Sequence, residues 1–194
     1  MLTFITGLGD SAVVLPASVL LLAYMLYLRH GRHAWLWFST LALCAMLTLL
    51  LKALFFAFGS EVPTLAIRSP SGHTSLSVTF YGCCALMMAE GTHPARAVLL
   101  LAIAGGIATA VAMSRVLLHL HTWSEVLVGL AVGVICVGWF SIKLHTLPPL
   151  LLSLPATSVV FGALLIATQG LHWEFEQVAG NFASLLRSAL SGCP

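Results

Sequence analysis

Apolar residues run through this chain in six long blocks that contain no Asp, Glu, Lys or Arg: Ser11 to Leu28, Ala34 to Leu51, Thr74 to Ala89, Ala97 to Met113, Val126 to Ile142 and Leu147 to Thr168. Each is close to the roughly 20 residues that a helix rising about 1.5 Å per residue needs to cross about 30 Å of hydrocarbon. A segment in lipid must satisfy its own backbone N–H and C=O groups, so the blocks predict helices. The strict alternation of a membrane barrel is absent. The predicted fold is therefore all-α, a polytopic bundle of six transmembrane helices. No Lys or Arg precedes the first block, and Arg29 and Arg32 follow it. It reads as a retained span and not as a removable secretory signal.

Composition agrees with the pattern. Of 194 residues 60% are apolar and only 7% charged, which excludes an ordinary soluble domain. A formal net charge of +2, with no Lys/Arg run, offers nothing for a nucleic-acid backbone. Cys44, Cys83, Cys84 and Cys136 fall inside apolar blocks, where thiols act as small hydrophobes, and no disulfide framework is visible. Residues 1–168 read as one membrane domain and 169–194 as a C-terminal tail. That tail mixes Trp173, Phe175, Phe182, Leu185 and Leu186 with Glu174, Glu176 and Arg187, suiting an interfacial helix or a flexible segment. No feature points to an oligomeric state.

Orientation follows from the connections, since cytoplasmic loops are enriched in Lys and Arg. Arg29 and Arg32, then Arg96, then Lys143 fall on one side of a six-span chain. The N-terminus, residues 59–72 and the turn near His121 share the other, which also carries Lys52, Arg68 and Arg115. The charge rule then holds only if these three cations are reserved for chemistry.

Two short stretches on that second face are chemically unusual. In Ser69-Pro70-Ser71-Gly72-His73, Ser69 as N-cap and Pro70 at the first helical position explain two residues as a helix start. Gly72 and His73 need another reason, and a phosphate held against the free N–H groups of a helix start supplies one. The second stretch is Ser114-Arg115 followed by His121 and Glu125. Thr122-Trp123-Ser124-Glu125 fits a capping box, which accounts for Glu125 without chemistry. A helix starting one turn earlier places His121 and Glu125 at i and i+4, where a carboxylate fixes the imidazole. Both readings are compatible, and His119 is a neighbouring competitor. Lys52, near the end of the second block, is costly in lipid unless paired or snorkelling, and so belongs among the candidates.

These residues resemble the type 2 phosphatidic acid phosphatase superfamily, which shares Lys-x6-Arg-Pro, Pro-Ser-Gly-His and Ser-Arg-x5-His-x3-Asp elements. Pro70 to His73 matches the second element completely; Ser114, Arg115 and His121 match the third, with Glu125 in place of Asp. Of the first only Lys52 remains, Gly59 and Ser60 standing where Arg and Pro are expected. Arg68 is the candidate replacement for that Arg. The resemblance implies catalysis by His121 as nucleophile, Glu125 as its orienting carboxylate and His73 as acid and base. It also implies phosphate binding by Lys52, Arg115, Ser71, Gly72, Ser114 and Arg68. No cofactor or metal is expected, and neither HExxH nor a Cys/His ligand spacing is present. The implied partners are membrane lipids and a phosphorylated lipid substrate, a polyprenyl diphosphate first among several, with the site facing the periplasm or exterior of a bacterial inner membrane. A phosphotransferase using the same histidine and a non-catalytic lipid-binding protein are the alternatives.

Overall fold

A computed structural model describes residues 2–58 and 69–150, all of the regular structure in them helical. In order these are α1 (Leu2–Gly7), α2 (Ser11–Tyr27), α3 (Gly31–Phe58), α4 (Gly72–Ala89), α5 (Pro94–Leu117) and α6 (Trp123–Leu144). Each of the first five predicted blocks lies within or on a helix, and most helices overrun their block. Arg32, Lys52, Arg96, Arg115, Glu125 and Lys143 all fall inside helices, near their ends. A charge-free run marks what the hydrocarbon tolerates, whereas backbone hydrogen bonding carries the helix on into the interface.

Of the six expected spans, the described residues test the first five. Among the described residues four segments are long and apolar enough to cross a membrane: Phe4–Tyr27, Gly31–Phe56, Pro94–Leu117 and Trp123–Leu144. The sixth block lies almost wholly outside the described residues, as does the tail. The third block forms α4, whose 18 residues give about 27 Å of helix. It is less apolar because Thr74, Ser75, Ser77 and Thr79 are buried along it. Such polarity is tolerable in α4 because it is the central helix, packed against α2, α3, α5 and α6. The four long apolar segments make this an integral membrane protein. Their outer faces carry exposed Val19, Leu50, Val98, Leu99, Ile103, Ile135 and Ile142, the inside-out surface that lipid accepts.

Two seams hold α4. Along α6, an added Cβ at Gly129 would stand 2.5 Å from the Ser71 carbonyl oxygen, and at Gly133 2.6 Å from Val78 Cβ. Further along, Val137 Cγ2 lies 2.7 Å from where Gly82 would carry a Cβ. These small residues at four-residue spacing let the two backbones meet, the usual device for packing helices in lipid. Against α3 the seam is polar: Thr48 and Ser75 hydroxyls are 3.0 Å apart, and Thr79 Oγ1 lies 3.2 Å from Cys44 Sγ. Apolar packing sits further along, where Trp37 meets Phe80 edge-on at 5.4 Å and its indole N–H donates to the Ser18 carbonyl. The α4–α5 connection and the segment after α6 meet at this end, where Leu150 N–H donates to Glu90.

Candidate active site

The opposite end gathers the starts of α4 and α6, the end of α5, the last turns of α3 and the α1–α2 junction. Helix α6 begins with Thr122 as N-cap, and the capping box is complete: Glu125 N–H donates to Thr122 Oγ1 at 3.3 Å and Thr122 N–H to Glu125 Oε2 at 3.0 Å. The same Oε2 stands 3.0 Å from His121 Nδ1, with both side chains buried. The two readings of Glu125 therefore hold together, and the helix need not start a turn earlier. An ionised carboxylate only accepts hydrogen bonds, so this contact puts the proton on Nδ1 and leaves Nε2 with a lone pair. The second carboxylate oxygen, Oε1, accepts from Ser69 N–H at 2.8 Å, and the Glu125 carbonyl accepts from Ser71 N–H at 3.1 Å. One residue thus ties the two sequence stretches together.

The expected N-cap of α4 is also corrected. Ser71, not Ser69, caps the helix, its Oγ accepting from Thr74 N–H, so that Gly72 is the first helical residue. Ser69 lies before the helix, with its N–H donating to Glu125 Oε1. Ser71 Oγ also accepts from Thr74 Oγ1 at 2.9 Å, leaving the serine its own proton to donate. A Cβ at Gly72 would lie 4.0 Å from Lys52 Cε and 3.8 Å from Thr48 Cγ2. Lys52 is therefore beside the α4 N-terminus, buried, one turn beyond the Thr48–Ser75 contact. A lysine beside a helix N-terminus is an arrangement that favours a nearby anion.

At the end of α5, Arg115 is buried and its Nη1 donates to Thr6 Oγ1 at 3.2 Å. Ser114 turns its hydroxyl back to the Val111 carbonyl at 2.6 Å. Beyond it the helix closes in a Schellman turn: Leu120 N–H reaches the Arg115 carbonyl and His119 N–H that of Val116. His119 holds the positive φ of 54° that this turn requires and is exposed, so its role is to end the helix. The turn brings His121 N–H onto the Arg115 carbonyl at 3.2 Å, which spaces Arg115 from His121. Arg68, Gly59 and Ser60 lie outside the described residues.

Sequence reasoning missed the α1–α2 junction. Asp10 is buried there, caps α2 through Ala12 N–H at 2.9 Å, and places Oδ2 3.6 Å from His73 Nε2. An added Cβ on its neighbour Gly9 would stand 2.6 Å from Val111 Cγ1 and 3.1 Å from the His73 carbonyl oxygen. Gly9-Asp10-Ser11 before an apolar block was the available signal, a helix cap whose acidic side chain is costly in lipid. Among the described residues no three His, Cys, Asp or Glu side chains come close enough to share a metal ion.

The arrangement offers an imidazole held through Nδ1 by a carboxylate, a second imidazole beside a carboxylate, a lysine beside a helix N-terminus and a buried arginine at the end of α5. A sequence model of the PAP2 superfamily matches residues 33–149, which includes all of these groups except those of the N-terminal segment. The chain is also 26% identical over 130 residues to an uncharacterized 22.5 kDa protein in the cps region of Klebsiella pneumoniae, covering 66% of this chain. It spans 62% of the length of that relative. No solved structure matches the chain.

Proposed function

Because this chain belongs to the PAP2 superfamily, which supports a phosphatase-type hydrolase of phosphoric esters, we propose that it is a lipid phosphatase working through a phosphohistidine. The substrate in this reading is a phosphate monoester or diphosphate of a lipid, with a polyprenyl diphosphate such as undecaprenyl diphosphate first. The observation that carries it is the buried His121–Glu125 contact at 3.0 Å, joined through the other carboxylate oxygen to Ser69 at the head of the Pro70–His73 stretch.

His121 Nε2 attacks phosphorus while the bond to the leaving oxygen breaks, and His73 gives that oxygen its proton. Water then attacks the phosphohistidine, His73 takes the proton from the water, and the P–N bond breaks to restore His121. Lys52, Arg115, Gly72 N–H and the Ser71 hydroxyl act on the equatorial oxygens, where charge gathers in the transition state. A site at the end of a bundle with apolar outer faces suits a substrate whose tail stays in lipid. We place the protein in a bacterial inner membrane with this site on the periplasmic face, Arg29, Arg32 and Arg96 at the opposite helix ends marking the cytoplasmic one.

Purified protein in detergent should release phosphate from a lipid diphosphate in the presence of EDTA, and His121→Ala should abolish turnover. Turnover that EDTA stops and His121→Ala spares would rule the mechanism out. A phosphorylated lipid acceptor formed in place of free phosphate would indicate the transferase alternative.

A further inference from the structure

We infer that Asp10 is a positioning residue for His73, so that each site histidine works against its own helix-capping carboxylate. The inference rests on the reading of His73 as acid and base given above. Glu125 shows the pattern: one side chain caps α6 and faces His121 at 3.0 Å. Asp10 repeats it at the start of α2, with Oδ1 accepting from Ala12 N–H and Oδ2 standing 3.6 Å from His73 Nε2.

The segment that carries Asp10 is fixed in place. Gly9 lies so close to Val111 and the His73 carbonyl that no side chain fits, and Tyr81 OH donates to the Leu8 carbonyl at 2.8 Å. These contacts fasten the α1–α2 junction to α5 and to α4, the helix that carries His73 in its first turn. A carboxylate held there, mostly out of water, is costly to bury without a cationic or hydrogen-bonding partner. His73 is such a partner whenever it carries its extra proton.

The reaction loads His73 with that proton twice, before the leaving oxygen departs and after water is deprotonated. Asp10 supplies the counter-charge at both moments and turns Nε2 toward itself, leaving Nδ1 for the leaving oxygen and the water. The proton given up in the first step is regained in the second, so Asp10 stays ionised throughout. The N-terminal segment, outside the residues matched by the family model, thereby becomes part of the site.

Asn caps a helix as well as Asp does, so Asp10→Asn removes the charge and keeps the cap. The test compares kcat/KM, which reports the phosphorylation step, for a polyprenyl phosphate and for p-nitrophenyl phosphate, whose phenolate leaves without a proton. Asp10→Asn should lower kcat/KM for the lipid about tenfold or more, part of the roughly 10²- to 10⁴-fold that general acid catalysis supplies. It should change the aryl phosphate less than about threefold, and should cost nothing further in a His73→Ala background. Equal losses on both substrates, no loss on the lipid, or a full additional loss in the double variant would each overturn the inference. Should Asp10→Asn not fold, Asp10→Ser, also a good cap, makes the same comparison. Wild-type protein without turnover, or an active His121→Ala variant, would overturn the phosphatase reading and the inference with it. An active wild type with an essential His121 and an indifferent Asp10 would sink the inference alone.

Discussion

Glu125 does three things with one carboxylate: it caps α6, fixes the His121 ring and holds Ser69, all through contacts of 2.8–3.0 Å. Glu125→Gln keeps the shape but puts an NH2 group against N–H donors. It should cut kcat about a hundredfold or more, in line with losing an oriented and charge-stabilised imidazole. Glu125→Asp keeps the charge with an arm one methylene shorter and should retain turnover within about tenfold of wild type. Equal turnover for Gln and wild type would reduce Glu125 to a cap. Gly72 poses the converse case. An added Cβ there meets only ordinary contacts, at 3.8 and 4.0 Å, so Gly72→Ala should leave the melting temperature unchanged or raised. The new methyl occupies the space between the helix start and Lys52, and kcat/KM should fall. A Gly72→Ala enzyme with full activity would show that phosphate does not approach that backbone.

At the level of elements, the spacing between Pro70–His73 and His121–Glu125 is set by α6 lying directly on α4. The signal for that was present in the chain as Gly129-x3-Gly133, a small-residue pattern in an apolar run. The charge-free blocks placed α2 to α6 well, because lipid penalises ionised side chains strongly. They said less about which helix is central, since polarity buried between helices looks in sequence like polarity at an end. Ser71 and not Ser69 caps α4, and Ser69 N–H is taken by Glu125 from another helix, a contact that no local pattern encodes. Gly129→Ala tests the seam. Its Cβ would meet the Ser71 carbonyl oxygen at 2.5 Å, so backbone must move, at about 1–3 kcal/mol. Both stability and turnover should drop, whereas Gly138→Ala on the same helix, with nothing within 4 Å, should alter neither. Similar melting temperatures for the two variants would mean that the seam does not set the packing.

Across the whole molecule, the candidate site belongs to no single element: Asp10 joins α1 to α2, Lys52 comes from α3, Gly72 and His73 from α4, Arg115 from α5 and Glu125 from α6. The two motifs stand out in the sequence by residue type, whereas the place of the N-terminal segment beside them depends on a contact across more than sixty residues of chain. A site spread over so many helices couples ligand binding to the stability of the bundle. A ligand that binds only the folded state stabilises it by about 2.7 kcal/mol at 100 times its dissociation constant. Orthovanadate, a phosphate analogue that accommodates five-coordinate geometry, should therefore raise the unfolding temperature of the detergent-solubilised protein, with EDTA present and in proportion to the logarithm of its concentration. Lys52→Met should remove most of that shift, because the buried ammonium beside the α4 N-terminus is a principal attraction for the anion, while its unliganded melting temperature should stay near that of wild type or rise. An unchanged vanadate shift in Lys52→Met would mean that the anion binds elsewhere, and that Lys52 serves the packing of α3 on α4 and not the phosphate.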